Sequence, residues 1–300
     1  MSAGSVSILA QAKLNLYLRV LAREESGYHS IETIFHRLDF ADEITIHVQD
    51  DGRRELDVVG HDTGPVEANL AYRAAVAYQR DAGWPAGFGI ELTKRIPPGG
   101  GLGGGSADAA AVLRALDSLA RHPLGEPRLM VIASALGADV PFLTSSEVMA
   151  LAWGHGERML ALPPLPERDV LLVLPEFQVT TVDAYDWLDE ERADLSEDSR
   201  YGTTDLLLTT EEKLGEWAVF AELSRNDFIH PVAARHPRIH ELLGGFRSTG
   251  SILSSMSGSG STLFGVYTES PNADGFPCLA PATATLTRTA TQVVQPMRIG

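Results

Sequence analysis

Positive charge is what this chain has least of. Against 40 aspartates and glutamates stand 24 lysines and arginines, a formal net charge of −16. Only three of the cations are lysines: Lys13, Lys94 and Lys213. A balance this acidic excludes a general nucleic-acid-binding surface. An anionic small substrate would need cations placed locally against that background. The single cysteine, Cys278, excludes an internal disulfide and a cysteine-built metal cluster. No apolar run reaches the ~18–20 residues of a membrane-spanning helix. The opening MSAGSVSILAQAK lacks the basic start of a signal peptide. These absences predict a cytoplasmic chain with no membrane partner. No internal repeat of roughly 20–50 residues occurs, which excludes a solenoid or propeller.

What is present is ordinary for a globular enzyme: 44 % hydrophobic and 21 % charged residues in 300, enough for two modest domains or one large one. Alternating polarity predicts strands at 6–9 and 14–20, with Leu14, Leu16, Leu18 and Val20 on one face and Asn15, Tyr17 and Arg19 on the other. Further strands are expected at 31–40, 42–48 and 88–96. Ser26-Gly27-Tyr28-His29 reads as a turn. Asn69 can cap a helix through 72–80, ended by Gly83 and Pro85. Residues 109–120 read as a helix. Pro127 fits the first turn of another, with Leu129, Ile132, Ala133 and Leu136 as its stripe and Gly137 as its end. Beyond a division near Gly154–Glu157, a buried strand is expected at 170–174 and a helix at 231–244. Strands at 252–256 and 262–267 flank a glycine turn, and 268–288 reads as loop. The acidic stretch 189–198 reads as a solvated face. Strands and helices mix without regular alternation, which points to an α+β fold.

The most informative segment is Pro97-Pro98-Gly99-Gly100-Gly101-Leu102-Gly103-Gly104-Gly105-Ser106-Ala107-Asp108. Six of its residues are glycine, and it leads into the 109–120 helix. Glycine reaches φ > 0 and lets backbone approach a ligand closely. Several N–H groups then point at one place, at the positive end of a helix dipole, which favours a phosphate. Three common loop types fail. No Gly-Lys-Ser/Thr follows, so it is not a Walker A loop. Gly99, Gly101 and Gly104 match a dinucleotide fingerprint, but Pro97-Pro98 interrupts the entering strand. Ser106 stands where a protein-kinase loop has valine, and no His-Arg-Asp or Asp-Phe-Gly follows. His236 and His240 lack the glutamate of a zinc-protease pair, and no Gly-x-Ser-x-Gly elbow occurs. No carboxylate constellation marks a metal held by the protein.

Three separated motifs together resemble the GHMP kinase superfamily: Ala12-Lys13-Leu14-Asn15-Leu16, the loop at 97–108, and Met256-Ser257-Gly258-Ser259-Gly260-Ser261. Gly27-Tyr28-His29, Gly137-Ala138-Asp139-Val140-Pro141-Phe142 and the pair Asn226-Asp227 narrow the resemblance. They are similar to the branch that phosphorylates CDP-methylerythritol in the non-mevalonate route to isoprenoid precursors.

The resemblance implies a two-domain α+β kinase, an ATP-binding domain over 1–155 and a second over 156–300, with the substrates between them. ATP is the implied co-substrate, with Mg²⁺. The small molecule CDP-methylerythritol is the implied acceptor, through its tertiary 2-hydroxyl, and no protein partner is implied. Phosphoryl transfer needs alignment, stabilised phosphate oxygens and a carboxylate near the acceptor. By resemblance Asp139 is the general base and Lys13 its partner or a phosphate contact. Read alone, Asp139 is equally a cap of the next turn and Lys13 an exposed strand lysine. The ATP phosphates are assigned to Pro97 through Ala107, with Ser106 adding a hydroxyl. Tyr28 and His29 are assigned to the cytosine, Tyr185 to its other face, and Asn15 to the methylerythritol hydroxyls. The chain departs from the family pattern at Gln11 (for Pro), Ala107 (for Ser) and Ser145-Ser146 (for Gly-Gly). Serine adopts φ > 0 only at a cost, so a different loop path is expected at 145–146.

Overall fold

Two long strands organise the molecule. In the computed structural model, which describes residues 4–25, 27–193, 215–273, 275–277 and 279–299, β1 runs Ser5–Arg23 and β2 runs His29–Gln49. Ser26, Lys213, Cys278 and residues 194–198 of the acidic stretch lie outside the described residues. Each long strand replaces two shorter ones expected from the alternation. β2 is continuous because its halves serve different neighbours: residues 43–49 pair with β4 (Gly87–Lys94), and residues 31–36 pair with β5 (Met149–Gly154). β1 pairs antiparallel with β2 along its length, with register shifts between Gln11 and Lys13, Asn15 and Tyr17, and Val20 and Ala22. Such bulges re-aim side chains, and two of them bracket Lys13 and Asn15.

β3 (Arg54–Gly60) lies parallel to β4, β6 (Arg158–Ala161) pairs with β5, and β11 (Met297–Ile299) returns to β1, giving a seven-stranded sheet. Four helices pack against it: α1 (Leu70–Ala82), α2 (Gly104–Leu119), α3 (Glu126–Leu136) and α4 (Val140–Thr144). The Asn69 side chain accepts from Ala71 N and caps α1, and Gly83 ends it at φ +64. α2 starts within the glycine run rather than at residue 109. Its buried face is built of Ala107, Ala109, Ala110, Ala111 and Ala115, small enough to let the helix lie close on the sheet beside Phe35, Ile44 and Ile90.

The second sheet has the order β10-β7-β9-β8: β7 Asp169–Leu174, β8 Leu253–Met256, β9 Leu263–Tyr267 and β10 Thr283–Arg288. It carries α5 (Thr181–Arg192), α6 (Trp217–Leu223), α7 (Ile229–Arg235) and α8 (Arg238–Ser248). The helix expected over 231–244 is two helices. Pro237 disfavours the helical region for the residue before it, and His236 sits at φ −127, ψ 79. The loop expected over 268–288 ends in β10, where the alternating threonines of Thr-Ala-Thr-Leu-Thr-Arg pair along β7. The sheets meet through two apolar clusters: Leu14 and Leu16 of β1 pack with Val170, Leu172, Phe264 and Val266, and Leu18 and Val20 with Leu171, Val173 and Leu263. The leucine face of β1 is therefore the joint between layers, and its other face is left to carry Lys13 and Asn15.

Candidate active site

The glycine run makes a crest between β4 and α2. Gly99, Gly101 and Gly103 have φ of +74, +77 and +71. At Gly101 a Cβ would stand 2.0 Å from Ser257 O, and at Gly103 one would stand 3.0 Å from Lys13 Cγ and 3.4 Å from Asp139 Oδ2. Only glycine fits either place. α2 opens at Gly103 with no side-chain cap and no acidic residue in its first turn. Its first N–H groups have no intrahelical acceptor and no competing carboxylate, so they form an anion-binding end. The Ser106 hydroxyl is half-buried and lies 4.0 Å from the place a Cβ on Gly137 would take.

Beneath the crest, Lys13 Nζ lies 3.2 Å from Asp139 Oδ2 and donates to Asn15 Oδ1 at 2.7 Å. Asn15 Nδ2 in turn donates to Thr33 Oγ1, whose hydroxyl donates to Tyr17 O, each at 2.7 Å. Lys13 is 3 % exposed, against the exposed strand lysine its position alone would give, and it also lies 5.4 Å from the Phe35 ring. Asp139 is 27 % exposed and makes no capping hydrogen bond, although it stands at the start of α4. Its carboxylate is thus spent on Lys13, with one edge open.

α4 is fastened from behind. Arg37, fully buried on β2, donates to Glu147 O, Phe142 O and Ser145 O at 2.8, 2.8 and 3.0 Å. Its guanidinium lies over the Phe142 ring at 5.0 Å, and Phe142 stacks on Phe35 at 5.0 Å. Serine at 145 is accommodated without a left-handed backbone. Ser145 sits at φ −62, ψ 168, and its Oγ donates to Phe142 O at 2.7 Å. No left-handed residue is required there, so serine serves.

A cavity of about 720 Å³ reaches Gly137 and Ala138, next to Asp139, and is walled by Tyr28, His29, His155, Thr181, Tyr185 and Asp189 among others. His29 stacks on Tyr185 at 4.5 Å, and its Nε2 hydrogen-bonds Asp189 Oδ1 at 2.9 Å. Phe228 also meets Tyr185, with ring centroids 4.8 Å apart and ring planes at 85°. Burial, with the negative charge of Asp139 adding, pushes the Tyr185 hydroxyl up to about 12. Tyr28 is 67 % exposed at the rim, its ring 5.3 Å from that of His155.

Asp108 turns into the interior beneath the start of α2, where a Cβ on Gly104 would lie 2.9 Å from Lys94 Nζ. Asp108, Lys94 and Asp42 form a buried cluster under the loop, with Lys94 Nζ donating to both carboxylates and 2.8 Å from Asp108 Oδ2. Burial pushes Asp108 up to about 8. Among the described residues no group of three or more His, Cys, Asp or Glu could hold a metal ion.

The sequence reading missed His155, Asp189, Arg37 and the partners of Lys94. The scarcity of lysine did single out Lys94. Nothing local announced the others, because each acts on a residue far away in the chain, as His29 and Asp189 do across 160 positions.

Residues 69–147 match the profile of the GHMP kinases N terminal domain and residues 208–276 that of the GHMP kinases C terminal domain. A Chromobacterium violaceum protein named 4-diphosphocytidyl-2-C-methyl-D-erythritol kinase is 38 % identical over 88 % of this chain and 87 % of its own length. Proteins of the same name from Citrifermentans bemidjiense and Pseudomonas aeruginosa are 37 % and 34 % identical, over 87 % and 92 % of this chain and 89 % and 90 % of theirs. A crystal structure of 4-(cytidine 5'-diphospho)-2C-methyl-D-erythritol kinase superposes with a TM-score of 0.74 at 34 % identity, covering 94 % of this chain and 98 % of that one. Homoserine kinase from Cytophaga hutchinsonii gives 0.73 at 19 % identity over 98 % and 97 %, a likeness of fold alone. Among the described residues no helix is long and apolar enough to cross a membrane. At 34–38 % identity over 87–92 % of its length, the chain belongs to the 4-diphosphocytidyl-2-C-methyl-D-erythritol kinase family of the GHMP kinases.

Proposed function

We propose that this chain transfers the γ-phosphoryl group of ATP to the 2-hydroxyl of 4-(cytidine 5'-diphospho)-2-C-methyl-D-erythritol, a step of the non-mevalonate isoprenoid precursor pathway. The observation that carries the reading is the buried Lys13–Asp139 pair, 3.2 Å apart, with the glycine crest against one side and the cavity ending beside it. The loop Pro97 to Ala107 cradles the ATP phosphates through the backbone N–H groups of its glycines and Ser106, with the Ser106 hydroxyl beside them. Asp139 takes the proton of the acceptor hydroxyl. The freed oxygen bonds to the γ-phosphorus, the bond to the β-phosphate oxygen breaks, and ADP leaves with the electron pair. Lys13, 3.2 Å from Oδ2, keeps the carboxylate aimed.

Tyr28 offers an exposed face on which cytosine stacks. The His29 ring is committed to Asp189 and Tyr185, which leaves its backbone to read the base edge. Tyr185 bounds the pocket, and Asn15 stands beside Lys13 where the methylerythritol hydroxyls would lie. A Mg²⁺ arriving with ATP would be held through the phosphate oxygens, with the Ser106 hydroxyl as the protein group beside them, and Asp139 is kept for the acceptor proton. That ion supplies neutralisation of the phosphate charge when bound. The ATP-binding part is placed at 1–155 and the second part at 156–300, with β6 and β11 as the second part's returns to the first sheet. The reading needs no nucleic acid, membrane or protein partner, and it puts the chain to work in the cytoplasm.

The test is ADP release with Mg-ATP and CDP-methylerythritol, with mevalonate and homoserine as parallel acceptors. ADP with the cytidine acceptor alone is the expected result. ADP with another acceptor would move the substrate. No ADP from folded, ATP-binding protein would end the kinase reading.

A further inference from the structure

The second glycine turn, between β8 and β9, is fused to the first. Ser257 Oγ donates to Gly101 O at 2.7 Å, and Thr262 N donates to Gly100 O at 3.3 Å. A Cβ on Gly258 would lie 3.4 Å from Gly101 Cα and 3.6 Å from Lys13 Nζ. The phosphate crest and the Lys13 ammonium therefore both lean on this turn. A shift in the turn would be felt at the reacting groups without any change in those groups.

One side chain holds the turn from outside. Asn226 is buried, and its Nδ2 donates to Met256 O at 2.6 Å and to Gly258 O at 2.8 Å. Its Oδ1 accepts from Phe228 N at 2.9 Å. The backbone around it is tied to β1, the strand that carries Lys13 and Asn15: Leu18 N donates to Arg225 O at 2.7 Å, and Asp227 N to Leu18 O at 3.1 Å. The Asp227 carboxylate adds Val20 N at 3.0 Å and Arg192 Nη2 at 2.6 Å, the latter from α5, the helix of Tyr185 and Asp189. Asn226 is thus a bracket between the strand under the reacting groups and the turn that backs the phosphate loop. Both of its N–H donors are used on that turn.

We propose that Asn226 is a positioning residue for phosphoryl transfer: its carboxamide sets the second glycine turn, and through it the distance between the phosphate loop and the Lys13–Asp139 pair. The proposal rests on the reading of Pro97–Ala107 as the ATP loop. A misplacement of about 1 Å at reacting groups costs up to roughly a hundredfold in rate.

The experiment compares wild type, Asn226→Asp and Ser257→Ala in steady-state kinetics with each substrate varied, beside thermal unfolding. Asn226→Asp keeps the shape and the acceptor for Phe228 N, but it turns an oxygen toward two carbonyl oxygens. The expected result is a fall in kcat of about tenfold to a hundredfold with a raised KM for ATP. The KM for the cytidine acceptor should change less than that for ATP, because the cavity wall meets the turn through the exposed Thr181 Oγ1–Ser259 Oγ pair at 3.3 Å, while the phosphate loop is joined to it by Ser257 and Thr262. Ser257→Ala, which only frees the turn from Gly101 O, should shift the same two constants in the same direction by less. A merely structural role would lower the unfolding temperature and the active fraction, leave both KM values at wild type, and overturn the proposal. If Asn226→Asp does not fold, Ser257→Ala decides: unchanged kcat and KM for ATP refute the role. Wild-type protein that releases no ADP with the cytidine acceptor refutes the functional reading instead, so the two failures are separate.

Discussion

Asp108→Asn should leave this protein at least as stable as wild type at neutral pH, and the advantage should grow with pH. Asp42, Lys94 and Asp108 are each at most 2 % exposed, and two carboxylates share one ammonium. Asp42 has further donors: Oδ1 accepts from Arg95 N and from Ile96 N, the latter at 2.8 Å. Asp108 has Lys94 on Oδ2, while its buried Oδ1 has no partner. The surplus negative charge is best removed at Asp108, so that side chain carries a proton in the fold, in keeping with its rise to about 8 from an ordinary value of 3.8. A carboxyl raised in the folded state keeps its proton while the unfolded chain loses it. Unfolding free energy therefore falls as pH climbs from about 4 to about 8, by about 1.4 kcal/mol per pH unit at most from this group, and is level above that. Asparagine copies the neutral acid in shape and escapes that slope. Relaxation around the cluster and its coupling to Lys94 reduce the ideal figure, and we expect a gain of about 1–3 kcal/mol at pH 8, shrinking toward zero at pH 5. Urea unfolding of both proteins at three pH values measures it. A variant weaker than wild type, with a deficit that widens as pH rises, would show that Asp108 is ionised in the fold and would sink the reasoning.

Four further changes follow from the site. Asp139→Asn keeps the contact with Lys13 but cannot take a proton, so kcat should drop by about 10²–10⁴ with the KM for ATP little changed, read from ADP release. Tyr28→Ala removes a ring that is 67 % exposed, so stability should move by less than about 0.5 kcal/mol while the KM for the cytidine acceptor rises about tenfold or more. Gly101→Ala would place a methyl 2.0 Å from Ser257 O at φ +77, so ATP binding measured by titration should be lost even if the protein folds. Ser145→Gly deletes the hydroxyl bond to Phe142 O at a residue with φ −62, and should cost about 1 kcal/mol in unfolding free energy rather than relieve strain.

Local signals carried the helix ends well. Asn69 and Gly83 bound α1, and Pro127 and Gly137 bound α3, because caps act within a turn of the residues that encode them. The alternation in β1 separated Leu14 and Leu16 from Asn15, but Tyr17, expected beside Asn15, packs in the leucine cluster beyond a register shift, and one strand stood where two were expected. A bulge breaks the polarity pattern without breaking the strand, and a switch of neighbours halfway along β2 leaves no mark in composition. Asp139 and Lys13 were legible through motifs, and the open edge of the one and the burial of the other were not. The Asp42–Lys94–Asp108 cluster joins residues up to 66 apart in the chain, by the difference of their numbers. No pattern of spacing predicts such a meeting before the sheet brings β2, β4 and α2 together.

The two structural likenesses separate what the scaffold determines from what the pocket determines. A kinase for the cytidine acceptor and a homoserine kinase superpose on this chain almost equally, at TM-scores of 0.74 and 0.73. What the two share with this chain is the overall fold, and a fold does not fix which alcohol is phosphorylated. Discrimination must then come from side chains that the scaffold does not require. Those at the cavity rim fit that description. Tyr28 is 67 % exposed, and its ring approaches His155 from a different hairpin. His29, Tyr185 and Asp189 form a wall whose members come from β2 and α5, opposite sides of the joint between sheets. An acceptor seated there touches both layers at once, while one that reaches only Lys13 and Asp139 touches the first layer and the loop. A small acceptor such as homoserine would leave that wall unfilled and forgo its stacking, worth about 1–3 kcal/mol for each base–aromatic contact. Selectivity for the cytidine acceptor should therefore collapse in Tyr28→Ala while turnover of bound substrate persists, and a variant that lost turnover but kept its selectivity would place discrimination at the reacting groups instead.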